Sequence, residues 1–188
     1  LFTVNEARFL LSHRLPLVQE ALHRGMTVSV VCGEDSGEEQ LRTLGVPVHT
    51  IPMTRSDFQP LQELRTYRAL RTLYQQLRPD VVHHVTIKPV IYGTRAAYAS
   101  GVPAVVNAVP GMGFVFTRRG NFAAIRRAFV NQLYRSALRH PRMRVIFQNS
   151  EDMRGFLAHG IVQREDAVLI RGSGVNLVDY PVTAPPSG

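Results

Sequence analysis

The sequence predicts an α/β domain built on a doubly wound parallel sheet of about seven strands. Short apolar runs rich in Val and Ile alternate along the chain with longer stretches that have helical character. Strands written as near-continuous apolar runs are buried on both faces, which is typical of a parallel sheet. The alternation of strand and helix implies right-handed crossovers and helices on both faces of the sheet.

The strand predictions follow the β-branched runs, of which TVSVVC and VVHHV are examples. The predicted strands are Leu1–Val4, Thr27–Cys32, Val46–Ile51, Val81–Val85, Ala104–Val109, Met143–Phe147 and Ala167–Ile170.

The helix predictions rest on helical spacing and on stop signals. Glycine closes four of the helices, and Pro79 closes the third because the residue before a proline disfavours the α region. The predicted helices are Phe9–His23, Glu38–Leu44, Gln62–Leu77, Val90–Ser100, Asn121–Arg139 and Glu151–His159. The 188 residues suit one domain over 1–180, and the proline-rich residues 181–188 are expected to begin a linker.

Composition excludes several classes of protein. Hydrophobic content of 45% with 19% charged residues excludes a disordered chain, and the single Cys32 excludes an internal disulfide or a zinc site of several Cys. The sequence has no run of about 20 apolar residues, and charges interrupt its start, so neither a membrane-spanning helix nor a signal peptide is expected. Neither a G-x-G-x-x-G nor a G-x-x-x-x-G-K-[ST] motif is present. A cytosolic protein is expected.

The net charge of +8 is concentrated in one stretch, since residues 118–144 hold eight Arg and no acid. Phe122, Ile125, Phe129 and Leu133 fall there at helical spacing and predict one apolar stripe. The basic side could be solvated, could face an anionic membrane, or could bind nucleic acid. No nucleic-acid motif accompanies it, so that alternative ranks last and no specific nucleic-acid partner is expected. The candidate membrane-facing residues are Arg118, Arg119, Arg126 and Arg127.

Lys88, close after the fourth predicted strand, is the strongest candidate for a functional charge. It is the only lysine in a chain whose other 21 basic residues are Arg, and Thr86 lies beside it. Ligands of such sheets bind beyond the carboxyl ends of the strands, where an ammonium can bind a phosphate or carboxylate as a point charge. The alternative is a solvated residue at a helix start, although a cation there opposes the helix dipole and so favours a partner.

His83 and His84 end the same strand, and adjacent side chains in a strand point to opposite faces. One of them is expected to face the cleft, where a neutral His could accept a proton. The alternative is a core histidine whose hydrogen bonds are satisfied. No histidine spacing supports a metal site.

Two glycine-rich loops also follow strands. NAVPGMGF at 107–114 contains Gly111, Gly113 and Phe114, and RGSG at 171–174 contains Gly172 and Ser173. Glycines let backbone N–H groups approach a ligand, and the aromatic ring could line an apolar slot. Each loop alone is weak evidence, because flexible turns have the same composition.

Four stretches together resemble the amino-terminal domain of family 4 glycosyltransferases of the bacterial capsule and lipopolysaccharide type. They occur in the family's order between Ala7 and Tyr180. The stretches are ARFLLSHRLPLVQEALHRG, RPDVVHHVTIKPVIYGTRAAYASGVPAVVNAVPGMGFVF, VIFQNSEDMRGFLAHG and VLIRGSGVNLVDY. The resemblance implies one Rossmann-like half of a GT-B fold, which binds the acceptor while a second, carboxy-terminal domain binds the nucleotide sugar. Transfer in this family proceeds with retention and without an essential metal or other cofactor.

The resemblance also implies a set of site residues. These are His13, Arg14, Thr86, Lys88, Gly111, Gly113, Gly172 and Ser173, and the reasoning from strand ends and loops adds His84 and Phe114. Catalytic roles are expected for His84 and Lys88, acceptor binding for His13, Arg14, Thr86, Gly111, Gly113 and Phe114, and a place near the donor phosphates for Gly172 and Ser173. Many members carry a His after the fifth strand, and NAVPGMGF has none, so the identity of a base stays open. The expected partners are a nucleotide sugar, a glycan or polyprenyl-diphosphate-linked acceptor and the inner face of the cytoplasmic membrane. A sugar-nucleotide epimerase half, or a small-molecule binding module, is the alternative on the same fold.

Overall fold

The computed structural model describes residues 1–34, 37–54, 59–111, 123–172 and 174, and it confirms the predicted fold class. Its strands are β1 Phe2–Thr3, β2 Val30–Cys32, β3 Val48–Thr50, β4 Val81–Val85, β5 Ala104–Val109, β6 Met143–Phe147 and β7 Ala167–Leu169. They form one seven-stranded sheet in the order β3-β2-β1-β4-β5-β6-β7. Each neighbouring pair is parallel.

Six α-helices lie within the described ranges and alternate with the strands. They are α1 Ala7–His23, α2 Glu38–Thr43, α3 Pro60–Leu77, α4 Thr94–Ala99, α5 Ala123–Ala137 and α6 Ser150–Ala158. A π-helical turn, Pro89–Gly93, precedes α4, and a 3₁₀ turn, Arg164–Asp166, precedes β7. The predicted helix Val90–Ser100 is therefore α-helical only in its second half.

The helix ends follow local chemistry. α3 begins at Pro60, two residues before the predicted start, because proline is preorganised for the first turn of a helix. It ends at Leu77, before Pro79, as predicted. α6 begins one residue early because the Oδ1 atom of Asn149 accepts a hydrogen bond from the Asp152 N–H at 2.7 Å and caps the helix.

The helices cover the two faces of the sheet unequally. α1 and α2 pack on the first face against residues such as Phe2 and Val4, and α3 to α6 pack on the second face around Tyr74, Tyr134 and Phe147. On the first face Ile146 is only partly buried and Val168 is 36% exposed. The sheet is thus buried on both faces at its centre, and towards β7 its first face is more open.

The predicted apolar stripe of α5 is wrong at Phe129, which is 48% exposed. The helix instead buries Tyr134 and Ala137, with Val130 and Leu133 partly buried against the same core. The buried face is therefore rotated by about one residue from the predicted one. Phe122, at the start of that stripe, lies outside the described residues.

Two further expectations concern the ends and the membrane. The predicted linker at 181–188 lies outside the described residues, so the domain limits stay predictions. Among the helices that the structure describes, none is both long and apolar enough to cross a bilayer.

Candidate active site at the sheet edge

The order of the strands reverses between β1 and β4, and a crevice is expected at this point. β1 pairs with β2 on one side and with β4 on the other, with Thr3 opposite His84. Two residues after this pair, the backbone that follows each strand leaves the sheet, at Asn5 after β1 and at Thr86 after β4, side by side. In open parallel sheets, ligands bind beyond the carboxyl ends of the strands at such a reversal.

Both residues that flank this crevice carry a side-chain oxygen without a protein partner. The Oδ1 atom of Asn5 and the Oγ1 atom of Thr86 are buried and make no hydrogen bond in the described part of the chain. Thr86 also has a φ of 78°, a left-handed conformation that strains a β-branched residue. Such strain costs about 1–3 kcal/mol and is concentrated at functional sites. These features support the prediction that Thr86 contacts a ligand.

Lys88 is held by Glu63, an acid that the sequence reasoning missed. The Lys88 ammonium donates to the Oε1 atom of Glu63 at 2.7 Å, and the two side chains are only 15% and 5% exposed. The alternative of a solvated lysine is therefore wrong. Glu63 is the only acid in α3, and this isolation is the one feature of the sequence that could have indicated its role. The catalytic role of Lys88 stays a prediction.

His84 lies in the core and not in the crevice. It is fully buried, with Nε2 3.0 Å from the Tyr74 hydroxyl and Nδ1 2.8 Å from the Oδ1 atom of Asn107. Tyr74 in turn lies 2.9 Å from the Thr3 hydroxyl. Burial lowers the pKa of His84 to about 3, so the ring is neutral. Both ring nitrogens are occupied, which matches the core alternative and gives no support to the predicted catalytic role.

His83 and Arg14 meet on the other face of the sheet. Burial, and then the charge of Arg14, lower the pKa of His83 to about 4. Arg14 is only 9% exposed, whereas its neighbour His13 is exposed and stacks on Phe9 with ring centroids 4.4 Å apart. Of the two predicted acceptor-binding residues, His13 is thus exposed to solvent, whereas Arg14 is buried under α1, where its charge acts on His83.

The remaining predicted site residues fall on loops and on α5. Gly111 is exposed, and a Cβ atom there would meet nothing within 4 Å. Gly172 has a φ of 69°, which favours glycine. Arg126 and Arg127 lie in α5. Gly113, Phe114, Arg118, Arg119 and Ser173 lie outside the described residues, and the roles of this whole group stay predictions.

No metal-binding cluster is found within the described ranges. No three His, Cys, Asp or Glu side chains of these residues lie together in a way that could hold a metal ion. The expectation that no metal or cofactor is essential stays a prediction.

Comparison with solved structures shows the same fold in other proteins. The chain matches HepE of Anabaena, solved with UDP and glucose, with a TM-score of 0.64 and 15% identity over 97% of this chain and 46% of that one. It also matches UDP-GlcNAc 2-epimerase of Methanocaldococcus jannaschii, with a TM-score of 0.58 and 13% identity over 91% of this chain and 44% of that one. At these identities the likeness shows the fold alone.

Comparison of sequences goes further. The chain is 26% identical over 169 residues to a Campylobacter jejuni protein named N,N'-diacetylbacillosaminyl-diphospho-undecaprenol alpha-1,3-N-acetylgalactosaminyltransferase. The match covers 89% of this chain and 44% of that transferase, so the chain spans less than half the length of this relative. The family model described as glycosyl transferase 4-like matches residues 1–150. This match covers most of the chain, and the chain therefore belongs to the glycosyl transferase 4-like family.

Proposed function

We propose that this chain is the acceptor-binding half of a retaining glycosyltransferase that serves the synthesis of cell-surface polysaccharide of the capsule or lipopolysaccharide kind. The complete protein would move a sugar from a nucleotide sugar, bound by a second domain, to a glycan or a polyprenyl-diphosphate-linked acceptor. The observation that carries the proposal is the buried Lys88–Glu63 pair at the sheet edge where the strand order reverses between β1 and β4, in a chain that belongs to a glycosyltransferase family.

Lys88 suits the charge changes of such a reaction. As the bond between the sugar and the nucleotide breaks, negative charge collects on the leaving diphosphate, and the diphosphate of a lipid acceptor is anionic throughout. An ammonium held in place by Glu63 can stabilise such charge without reorganising, and its effect is larger in a low-dielectric site than in water. Asn5 and Thr86 offer their free oxygens to hydroxyl groups of the acceptor.

The epimerase alternative shares the fold, since an epimerase is among the structural neighbours. The family match and the Campylobacter relative favour the transferase. The two differ in chemistry, because an epimerase changes the configuration of the donor sugar and needs no acceptor.

The proposal predicts acceptor-dependent turnover by the complete gene product. Incubation with a panel of UDP-sugars and a polyprenyl-diphosphate-linked saccharide is expected to yield an extended saccharide whose new bond keeps the configuration of the donor. Mass spectrometry of the product would show the extension of the saccharide, and NMR would show the configuration of the new bond. A changed donor sugar in reactions without acceptor would favour the epimerase instead.

We further propose that the complete protein works as a peripheral protein at the inner face of the cytoplasmic membrane. α5 carries Arg126, Arg127 and Arg135 and exposes 48% of Phe129, and Arg139 follows two residues after its end. Arg135 and Arg139 also hydrogen-bond to backbone carbonyls, so part of the charge supports the fold. Each Arg close to an anionic surface contributes about 1 kcal/mol.

This membrane proposal predicts charge-dependent binding to vesicles. The complete gene product is expected to sediment with vesicles rich in anionic lipid and much less with neutral ones. Reversing two charges, with Arg126→Glu and Arg127→Glu, removes attraction of about 2 kcal/mol or more and is expected to weaken sedimentation at least tenfold. The matched control reverses Arg8 in α1 and Arg24 at the C-terminal cap of α1, a helix on the opposite face of the sheet. Equal sedimentation with both kinds of vesicle would contradict the electrostatic part.

A further inference from the structure

A groove of about 880 Å³ runs over the second face of the sheet, between α3, α4 and α5. Its lining combines tyrosine rings with charged groups. The lining includes Tyr92, Tyr98, Arg95 and Arg139, and also apolar side chains such as Leu64 and Leu133. Glu63 joins the groove to the candidate active site, because the same carboxylate holds Lys88 at the sheet edge. A ligand in the groove would therefore extend away from the crevice.

Glu63 leaves one oxygen without a partner. The residue is only 4% exposed, and its Oε1 atom is taken by Lys88. Its Oε2 atom is buried and forms no hydrogen bond of good geometry among the described residues, although burial, and then the charge of Glu63 and a hydrogen bond to it, raise the pKa of the nearby Tyr92. A buried polar atom without a partner destabilises the folded state, and a charged one does so more strongly. A ligand that brings a donor to this oxygen recovers that free energy.

The rest of the lining indicates which ligand fits. Tyr92 lies near the carboxylate, since Glu63 is one of the causes, after burial, that raise the pKa of the tyrosine. Arg95 is fixed across the groove by a hydrogen bond to Ser136. A hydrocarbon chain would leave the Glu63 oxygen unpaired. A sugar offers hydroxyl donors to the carboxylate, acceptors to the arginines and C–H faces to the tyrosine rings.

We propose that this groove binds a saccharide of two or more rings. The proposal rests on the proposed function in that the saccharide is the part of the acceptor that extends away from the reacting hydroxyl. It adds a second binding region, on the helical face, to the crevice at the sheet edge. Glu63 would serve both regions, with Oε1 holding Lys88 and Oε2 accepting from a sugar hydroxyl.

A bulky side chain placed in the groove tests the proposal. Ala99 is exposed at the last residue of α4 and lines the groove, so Ala99→Trp is expected to fill it without disturbing the core. Ala158 is exposed at the last residue of α6 and does not line the groove, so Ala158→Trp is the matched control. N,N'-diacetylchitobiose would be titrated into the complete gene product, without donor, by saturation-transfer NMR.

Wild type and Ala158→Trp are expected to bind the disaccharide, and Ala99→Trp to bind it at least about tenfold more weakly. Tyr98→Ala is a second test, because this 65% exposed ring can be removed with little effect on folding, and it is expected to weaken binding severalfold. Equal binding by wild type, Ala99→Trp and Tyr98→Ala would overturn the proposal, and so would the absence of binding by wild type.

A second probe separates the saccharide from a lipid chain. Dodecyl phosphate carries an apolar chain and a negative charge but no sugar. If it binds in a manner blocked by Ala99→Trp while the disaccharide does not bind, the groove holds a lipid chain and the proposal is overturned. Binding of the disaccharide is measured without sugar transfer. A complete gene product that transfers sugar but does not bind the disaccharide therefore contradicts this inference alone. A complete gene product that binds the disaccharide but transfers no sugar contradicts only the proposed function.

Discussion

Replacing Lys88 with Ala is expected to lower the kcat of sugar transfer by the complete gene product by about 10²-fold or more. Lys88 lies at the edge of the sheet, beside the β1–β4 crevice, and is only 15% exposed. Its charge acts in the transition state, when the leaving diphosphate becomes more negative, so the loss is expected in kcat more than in the KM for the donor. Lys88→Arg is expected to recover little, because a planar guanidinium cannot replace a compact ammonium against Glu63. Steady-state kinetics with varied donor would measure both effects.

The control for this prediction must separate catalysis from stability. Removing Lys88 alone leaves the Glu63 carboxylate buried without its counter-ion, which can cost about 3–5 kcal/mol of the free energy of unfolding. The double variant Lys88→Ala with Glu63→Gln removes both charges and is expected to regain stability but not activity. An unchanged kcat in the folded single variant would remove Lys88 from the site.

Gly93→Ala is expected to destabilise the domain by about 3 kcal/mol, because it combines overpacking with lost buried hydrogen bonds. A Cβ atom at residue 93 would lie 2.5 Å from the Nε2 atom of His84. The ring must then move, and it loses its contacts with Tyr74 and Asn107. At about 3 °C per kcal/mol, the Tm would fall by roughly 10 °C. Calorimetry of the complete gene product would measure this shift.

Gly155→Ala is the matched control, since the same methyl group is added where nothing lies within 4 Å. Gly155 lies inside α6, where alanine is favoured over glycine by about 1 kcal/mol, so this variant is expected to raise the Tm slightly. If the two variants melted at the same temperature as the wild type, the packing of Gly93 on His84 would not matter for stability.

The fold was predictable because its signals are local. Runs such as Val81–Val85 and Ala104–Val109 identify buried strands, and a glycine or proline closes five of the six predicted helices. The alternation of these strands and helices then allows only a few topologies of the sheet. The rotation of α5 was less predictable, because helical spacing allows more than one adjoining face and only packing showed that Phe129 is exposed.

The candidate site was predictable only in part, because its contacts join distant segments. Lys88 stood out as the sole lysine, but nothing in the sequence pairs it with Glu63, 25 residues earlier. Strand alternation showed that His83 and His84 face opposite ways. It did not show that Tyr74 and Asn107 would enclose His84, since those contacts come from α3 and β5.

The central position of β1 has a consequence for the time course of synthesis. Phe2 pairs with Val30 on one edge and with His83 on the other, so β1 is made before both of its neighbours and is enclosed only when β4 has been made. Strands β1 to β3 can assemble once Thr50 has emerged, but the other edge of β1 must wait for β4. At about 5–20 residues per second, the nascent chain exposes that edge for a few seconds. Chaperone binding during translation is therefore expected to peak within this interval.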